Sequence, residues 1–338
     1  MKKISIKDIA KELNVSVSTV SLVLNGKGDE KRISRITQER IIKCAHEKNY
    51  KANVFAKGLK KGRSEMLGLI IPNISDFFYA KIASRIEKQA ARHGYTVIYS
   101  STEESPEKES ELIHSMLDRQ VEGLMIASSQ RNSLDIKNLI KMKFPFVLFD
   151  RHYPELNTDY VIVDNKGGVI HAVNHLVEQG SKNIGFVTLH SEIEVLKQRF
   201  YGYRDGLEEN GLNCYSSYIQ HVENADYQRQ VKLAIHRLLE SPNRVDSIVF
   251  STHYLAVCGL RELRARNIKI PDEIKLVSFD QYNTFDLIEP SLTAVTQPIA
   301  EIGDHAVNIL LGKLNATANG ITKIILDTGF IARKSSTS

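Results

Sequence analysis

Ile6-Lys7-Asp8-Ile9-Ala10, running on through Val15-Ser16-Val17-Ser18-Thr19-Val20-Ser21 to Asn25, is the stretch that decides how the whole chain is read. Ile6, Ile9, Ala10 and Leu13 recur at i, i+3, i+4 and i+7, the spacing of a single apolar helix face. Ser5 can cap that helix, and Asp8 at its third position makes a weaker relative of the capping box. Asn14 closes it. Ser16 then caps a second helix, with Thr19 three residues on. In that helix Val20, Val23 and Leu24 face inward, leaving Val17, Ser18, Ser21 and Leu22 pointing out near its start. A third helix, from a cap at Ser34 through Ile41, Ile42 and Ala45 to Lys48, would close a small three-helix core.

Charge gives this pattern a direction. Residues 1–63 carry 16 Lys+Arg against 6 Asp+Glu, which leaves 29 basic and 34 acidic residues for the rest of the chain. The overall net charge of +5 therefore hides a basic head on a mildly acidic body. A basic head suits a part that meets phosphates, although a solvated Lys-rich face would look the same by charge alone. A helix whose first turns are exposed and rich in Ser and Val is what the major groove admits, with side chains offered to base edges. Charge and helix pattern together predict DNA binding.

Composition bounds the rest. A length of 338 residues exceeds one typical domain, and 42% apolar residues suffice for proper cores. No apolar run is as long as a membrane span, and Met-Lys-Lys-Ile-Ser-Ile-Lys-Asp lacks a signal-peptide core. Cys44, Cys214 and Cys258 show no paired spacing and read as reduced thiols of a cytoplasmic protein. The 11 histidines form no HExxH or HxH group, so neither a metal nor a cofactor is expected.

The head resembles the DNA-binding domain of the LacI/GalR family of bacterial transcription regulators. The resemblance rests on Ile6–Ala10, Val15–Ser21 and Val23-Leu24-Asn25. It implies DNA contacts from Ser16, Val17, Ser18, Thr19, Ser21, Leu22 and Asn25. Two features depart from the family. Leu22 stands where an arginine is common, so base reading there would be apolar contact, for instance with a thymine methyl. The Gly26–Arg32 connection is longer than usual. Beyond the head, residues 53–60 form a short helix weakened by Gly58, too short to be stable alone in water. Read by itself, the segment is an ordinary linker. Tyr50, Asn53, Ala56 and Leu59, however, match the family's hinge helix. That match implies folding on DNA, with Leu59 from each of two subunits wedged into the minor groove.

From Leu67 onward short apolar strands alternate with helical stretches. Strands are expected at 67–71, 96–99, 123–126, 146–149, 184–187, 247–250 and 276–279. This rhythm predicts an α/β body of parallel sheets in two lobes, with a ligand cleft at the carboxyl ends of the strands. Polar residues following strands are the natural contacts: Asp76, Phe78 and Tyr79 after the first, Asp150 and Arg151 after the fourth, Asp280 after Phe279. Arg199 lies near a helix start in Arg199-Phe200-Tyr201-Gly202. Carboxylates, a guanidinium and aromatic faces make a typical sugar site. For each residue alone a helix cap or surface ion pair is the plainer reading, and for Arg151 it is preferred. The family resemblance raises Arg199, Asp150, Asp280, Phe78 and Tyr79 above that reading. At His253, where many relatives carry Asn-Asp, a ligand contact and a capping role stand level.

The resemblance extends to a periplasmic-binding-protein-like body, and Leu292-Thr-Ala-Val-Thr-Gln-Pro298 resembles one of its crossovers. It implies a helix-turn-helix domain over 1–50, a hinge over 51–63 and an effector-binding and dimerisation domain over 64–338. The N-lobe would comprise about 64–163 and 295–325, and the C-lobe about 164–294 and 326–338. The function expected is a ligand-responsive transcription regulator, most simply a repressor, that senses a sugar or related small molecule and binds a pseudo-palindromic operator. With only eight residues after Phe330, a homodimer is expected without a tetramerising helix. Two other classes compete. A transporter's sugar-binding protein would need an export signal where the basic head stands. An α/β enzyme would need a nucleophile–base pair, a phosphate loop or metal ligands, and none is found.

Overall fold

In a computed structural model the residues described are 4–48, 50, 63–241, 244–317 and 320–337. The hinge positions Asn53, Ala56 and Leu59 lie outside them. The chain divides into two compact units, Met1–Ser64 and Glu65–Ser338.

The head consists of α1 (Ile6–Leu13), α2 (Val17–Leu24) and α3 (Arg35–Glu47). Its first cap is stronger than the sequence suggested. Ser5 accepts from the Asp8 N–H while the Asp8 carboxylate accepts from the Ser5 N–H at 2.8 Å, a complete capping box. Asn14 ends α1 in the left-handed conformation (φ 51°), which asparagine tolerates better than most residues. Ser16 and Ser34 cap α2 and α3 by accepting from Thr19 and Thr37. Ile9, Ala10, Val20, Val23, Ile41, Cys44 and Ala45 form the buried centre, and Leu24 packs at its edge.

The connection from α2 to α3 is a tight, ordered loop. Lys31 N–H returns to the Lys27 carbonyl and Ile33 N–H to that of Gly28. Gln38 on α3 clamps the loop, donating to Asp29 Oδ1 at 2.9 Å and to the Ile33 carbonyl at 2.8 Å. Gly28 leaves room for this clamp, because a Cβ would lie 2.3 Å from the Gln38 side-chain oxygen and displace it.

The larger unit repeats one plan twice. Its first sheet contains β1 (Met66–Ile71), β2 (Thr96–Ser101), β3 (Gly123–Ile126), β4 (Phe146–Phe149), β5 (Tyr160–Val163) and β11 (Lys323–Leu326), in the order β11-β5-β4-β3-β1-β2. Its second contains β6 (Ile184–Leu189), β7 (Ile219–Val222), β8 (Ser247–Phe250), β9 (Lys275–Phe279), β10 (Thr293–Thr296) and β12 (Gly329–Ile331), in the order β12-β10-β9-β8-β6-β7. All neighbours pair in parallel except β10 and β12, which are antiparallel. Helices α4 (Phe77–Arg92), α5 (Pro106–Asp118), α6 (Ser133–Lys141) and α11 (Ile299–Leu314) belong with the first sheet. Helices α7 (Asn165–Glu178), α8 (Glu194–Glu209), α9 (Tyr227–Leu239) and α10 (His253–Ala265) belong with the second. The central strands are buried on both faces, in keeping with their almost wholly apolar sequences. The chain passes between sheets after β5, after β10 and after β11. Strands β5, β7, β10, β11 and β12 were not among the strands expected from the sequence; all are short, three or four residues, and β7 has polar residues at its interior positions.

Candidate effector cleft and nucleic-acid interface

The two sheets present their carboxyl ends to one cavity of about 700 Å³. The repeated plan also repeats the chemistry. In each sheet the central strand that ends in Phe is followed by an aspartate in left-handed conformation: Asp150 after β4 (φ 61°) and Asp280 after β9 (φ 69°). Aspartate tolerates this conformation better than most non-glycine residues, and both aspartates line the cavity. In each lobe the helix after the first strand reaches that aspartate. From α4, Tyr79 donates its hydroxyl to Asp150 Oδ2 at 2.6 Å. From α8, Arg199 brings Nη1 to 3.7 Å from Asp280 Oδ2.

Arg199 is the most constrained of these groups. Its Nε donates to Asn165 Oδ1 at 2.8 Å and its Nη1 to the Ser251 carbonyl at 2.7 Å, while its guanidinium lies 3.7 Å from the Phe279 ring centroid. Gly202, one turn further on, explains the Arg-x-x-Gly spacing: a Cβ there would meet the Lys166 carbonyl at 2.3 Å. Without that side chain α8 lies close on α7, which brings Arg199 to Asn165. Asp280 also accepts from Gln297 Nε2 at 2.5 Å, and Gln297 keeps a buried Oε1 without a partner among the described residues.

In the first lobe, Asp76 caps α4 by accepting from the Phe78 N–H at 2.8 Å, so the capping and cleft-lining readings hold together. Burial raises the Asp76 carboxyl above its usual range, and nearby His253 pulls it back only in part. Burial likewise raises Asp150, against Arg151 and the Tyr79 hydrogen bond, and raises the Tyr79 phenol well above its ordinary value. Phe78 is buried against Tyr79, edge to face, and both line the cavity.

Two sequence readings change. Arg151 is not a surface ion pair: it is buried, grips Glu104 through Nη1 and Nη2 at 2.7 and 2.8 Å, and lines the cleft. Burial alone would lower its pKa, but Tyr79, Glu104 and Asp150 outweigh that and raise it. His253 is not a cap, since Thr252 occupies the cap position and His253 begins α10. Its ring lies parallel to Tyr282 at 5.6 Å and edge-on to Tyr254 at 5.5 Å. Tyr282 also meets Phe77, and Tyr254 meets Tyr227, so an aromatic wall faces the carboxylates. Burial pushes the Tyr254 phenol up to about 12. Glu104, Asn165 and Tyr282 had no local signal, and Gln297 and Tyr254, although beside residues singled out in the sequence, were not read as cleft residues.

In the head, Ser16, Val17, Ser18 and Asn25 are exposed, and Thr19, Ser21 and Leu22 half-buried, along and around α2. Ser16 Oγ accepts from the Thr19 N–H at 2.9 Å, and Asn25 Nδ2 donates to the Ser21 carbonyl at 2.7 Å, fixing both ends of the helix. Lys27, Lys31, Arg32 and Arg35 are exposed on the adjoining loop and the start of α3.

Comparison with known proteins decides the lineage. Residues 5–53 match the model of the lacI family of bacterial regulatory proteins; 67–253 match a periplasmic binding protein domain and 173–336 a periplasmic binding protein-like domain. Catabolite control protein A of Priestia megaterium is 31% identical, covering 92% of this chain and 93% of its own. The chain belongs to the lacI family of bacterial regulatory proteins. A second member, the ribose operon repressor of Halalkalibacterium halodurans, is 30% identical over 98% of this chain and 96% of its own. Among solved structures of the family, a periplasmic binding protein/LacI transcriptional regulator from Alkaliphilus metalliredigens complexed with D-xylulofuranose aligns at TM-score 0.70 and 26% identity, covering 81% of this chain and all of its own. The lac repressor dimer bound to operator and an anti-inducer shares the fold over the full length of both chains, at TM-score 0.87 and 19% identity. The helix-turn-helix head, the doubled parallel sheets and the role of DNA-binding transcription regulator are thus those of this lacI family member.

Proposed function

We propose that this regulator is a homodimeric, cytoplasmic repressor whose operator affinity is set by a sugar or sugar derivative held between Asp150 and Arg199–Asp280. The observation that carries the effector reading is the doubled constellation in the cleft. Carboxylates held at both strand ends, a fixed guanidinium and an aromatic wall together suit a polyhydroxylated ring. Asp76, Phe78, Tyr79 and His253 complete the effector contacts. The relatives' repressor names, and the D-xylulofuranose bound by one structural neighbour, support this reading. In the head, Val17, Ser18 and Leu22 read bases, and Ser16, Thr19, Ser21 and Asn25 hold the backbone and set the helix. Asn53, Ala56 and Leu59 form the conditional hinge, with Leu59 as the minor-groove wedge.

The division of labour is a head over 1–50, a hinge over 51–63 and a sensor over 64–338. The exposed Lys27, Lys31 and Arg32 extend the phosphate-facing surface beyond α2, because Gln38 holds their loop in one shape. The test is fluorescence anisotropy of the full chain on labelled duplex across a salt series. Tight salt dependence is expected, and Lys31→Gln and Arg32→Gln should each reduce the log–log slope by about 1, alike on specific and random duplex. Slopes identical to that of the native chain would remove the loop from the interface.

A further inference from the structure

Helix α8, which carries Arg199, is not capped by its own segment: Ile193 holds the cap position, and no side chain there accepts from the first turn. The acceptor comes from the other lobe. Gln130, in the loop between β3 and α6, places Oε1 2.7 Å from the Glu194 N–H. Its Nε2 donates to the His152 carbonyl, so the amide is engaged at both ends and cannot flip without losing both bonds.

The loop behind Gln130 is built to hold it still. Glu109 is fully buried, and its carboxylate accepts from Ser128 Oγ at 2.7 Å and from the Ser129 N–H at 2.6 Å. Tyr153 Oη bonds Ser128 Oγ at 2.9 Å and accepts from the Asn132 N–H at 3.0 Å. Ser128 Oγ in turn accepts from the Gln130 N–H at 3.0 Å, and Gln130 takes a left-handed φ of 59°. A rare backbone conformation, fixed by a buried carboxylate, aims one amide oxygen at one N–H of the opposite lobe.

We propose that Gln130 is a positioning residue for Arg199, acting as a cap for α8 that exists only while the two lobes are close. Unpaired N–H groups at a helix start are satisfied by side chains or by water. When the lobes part, α8 loses its acceptor and its first turn loosens, little more than one turn before Arg199. A ligand that draws the lobes together gains a capped, stiffer α8, and the arginine is presented in one orientation. Lobe spacing and arginine position become one variable.

The idea rests on the reading of the cleft as the effector site. Its test compares full-length protein without ligand and with a sugar that raises its melting temperature. The contrast between native and variant is expected in whichever state holds the lobes close, and its absence from both states overturns the proposal. Hydrogen exchange read by mass spectrometry on Gln130→Ala should accelerate the Glu194–Leu196 amides about fivefold to tenfold, the loss of one hydrogen bond. Gln130→Glu keeps the acceptor but loses the bond to the His152 carbonyl, so it should accelerate those amides clearly less than Gln130→Ala does. A merely local role would speed exchange in residues 128–132 and leave 194–196 untouched, and that result overturns the proposal. Equal acceleration by the alanine and glutamate variants overturns it too.

Discussion

Arg199→Ala is expected to weaken effector binding at least about 100-fold and to destabilise the sensor unit by about 3 kcal/mol. The size follows from what the truncation leaves behind. Asn165 Oδ1 and the Ser251 carbonyl lose their donors, and the partly exposed Asp280 loses the nearby positive charge. Each stranded buried group costs about 1–3 kcal/mol. The Phe279 face is uncovered as well. Arg199→Lys restores charge without the planar fork that serves two acceptors at once, so it should recover only a minor part of the loss. Calorimetric titration with a sugar that raises the melting temperature, alongside urea denaturation, reads both effects. Affinity within threefold of native would show that the ligand does not use this end of the cleft.

The second large effect is expected in the head. Ile41 on α3 is fully buried against α1 and α2, in a small core with seven buried residues among those described. Truncation to alanine removes about 2–5 kcal/mol, including the cavity it leaves. A unit of this size commands little more than about 3–5 kcal/mol in total. Ile41→Ala should therefore unfold much of the head and reduce duplex affinity at least about tenfold. The sensor's thermal transition should stay in place, because its own clusters share no residue with that core. Ile41→Val, at about 0.5–1.5 kcal/mol, should keep the head folded. Differential scanning calorimetry paired with anisotropy separates these outcomes, and native duplex affinity in the alanine variant would contradict the account.

The fold was readable where one physical signal dominated. The stripe of Ile6, Ile9, Ala10 and Leu13 fixed the first head helix and the Ser16 and Ser34 caps the starts of the next two, while short apolar runs fixed seven strands, the edge strand β2 among them, to within two residues at either end. The outer strand β7 was not readable, since its Gln220 and His221 resemble loop, and β11 is only four residues long with Lys323 and Ile325 facing solvent. In the cleft, Asp150 and Asp280 stood out because each directly follows a strand and matches the family pattern. The groups that hold Arg199 and Arg151 did not: Asn165 meets Arg199, and Glu104 meets Arg151, only after helices and loops far apart in the chain have packed. Arg151 illustrates the limit. Nothing local announces that a guanidinium beside an aspartate will be buried, and here Glu104, brought in by the β2–α5 loop, makes its burial tolerable.

The central claim is that one chain couples a cleft to a DNA-binding head, and linkage makes this directly measurable. Full-length protein is titrated onto a duplex chosen by repeated selection from random sequence, with and without a sugar that stabilises the sensor unit. The account predicts a pseudo-palindromic selected site and an operator affinity that the sugar changes by at least about fivefold. It also predicts no response to sugar in Arg199→Ala and no duplex binding once residues 1–63 are removed. Operator affinity indifferent to every stabilising sugar, or duplex binding retained by residues 64–338 alone, would contradict it.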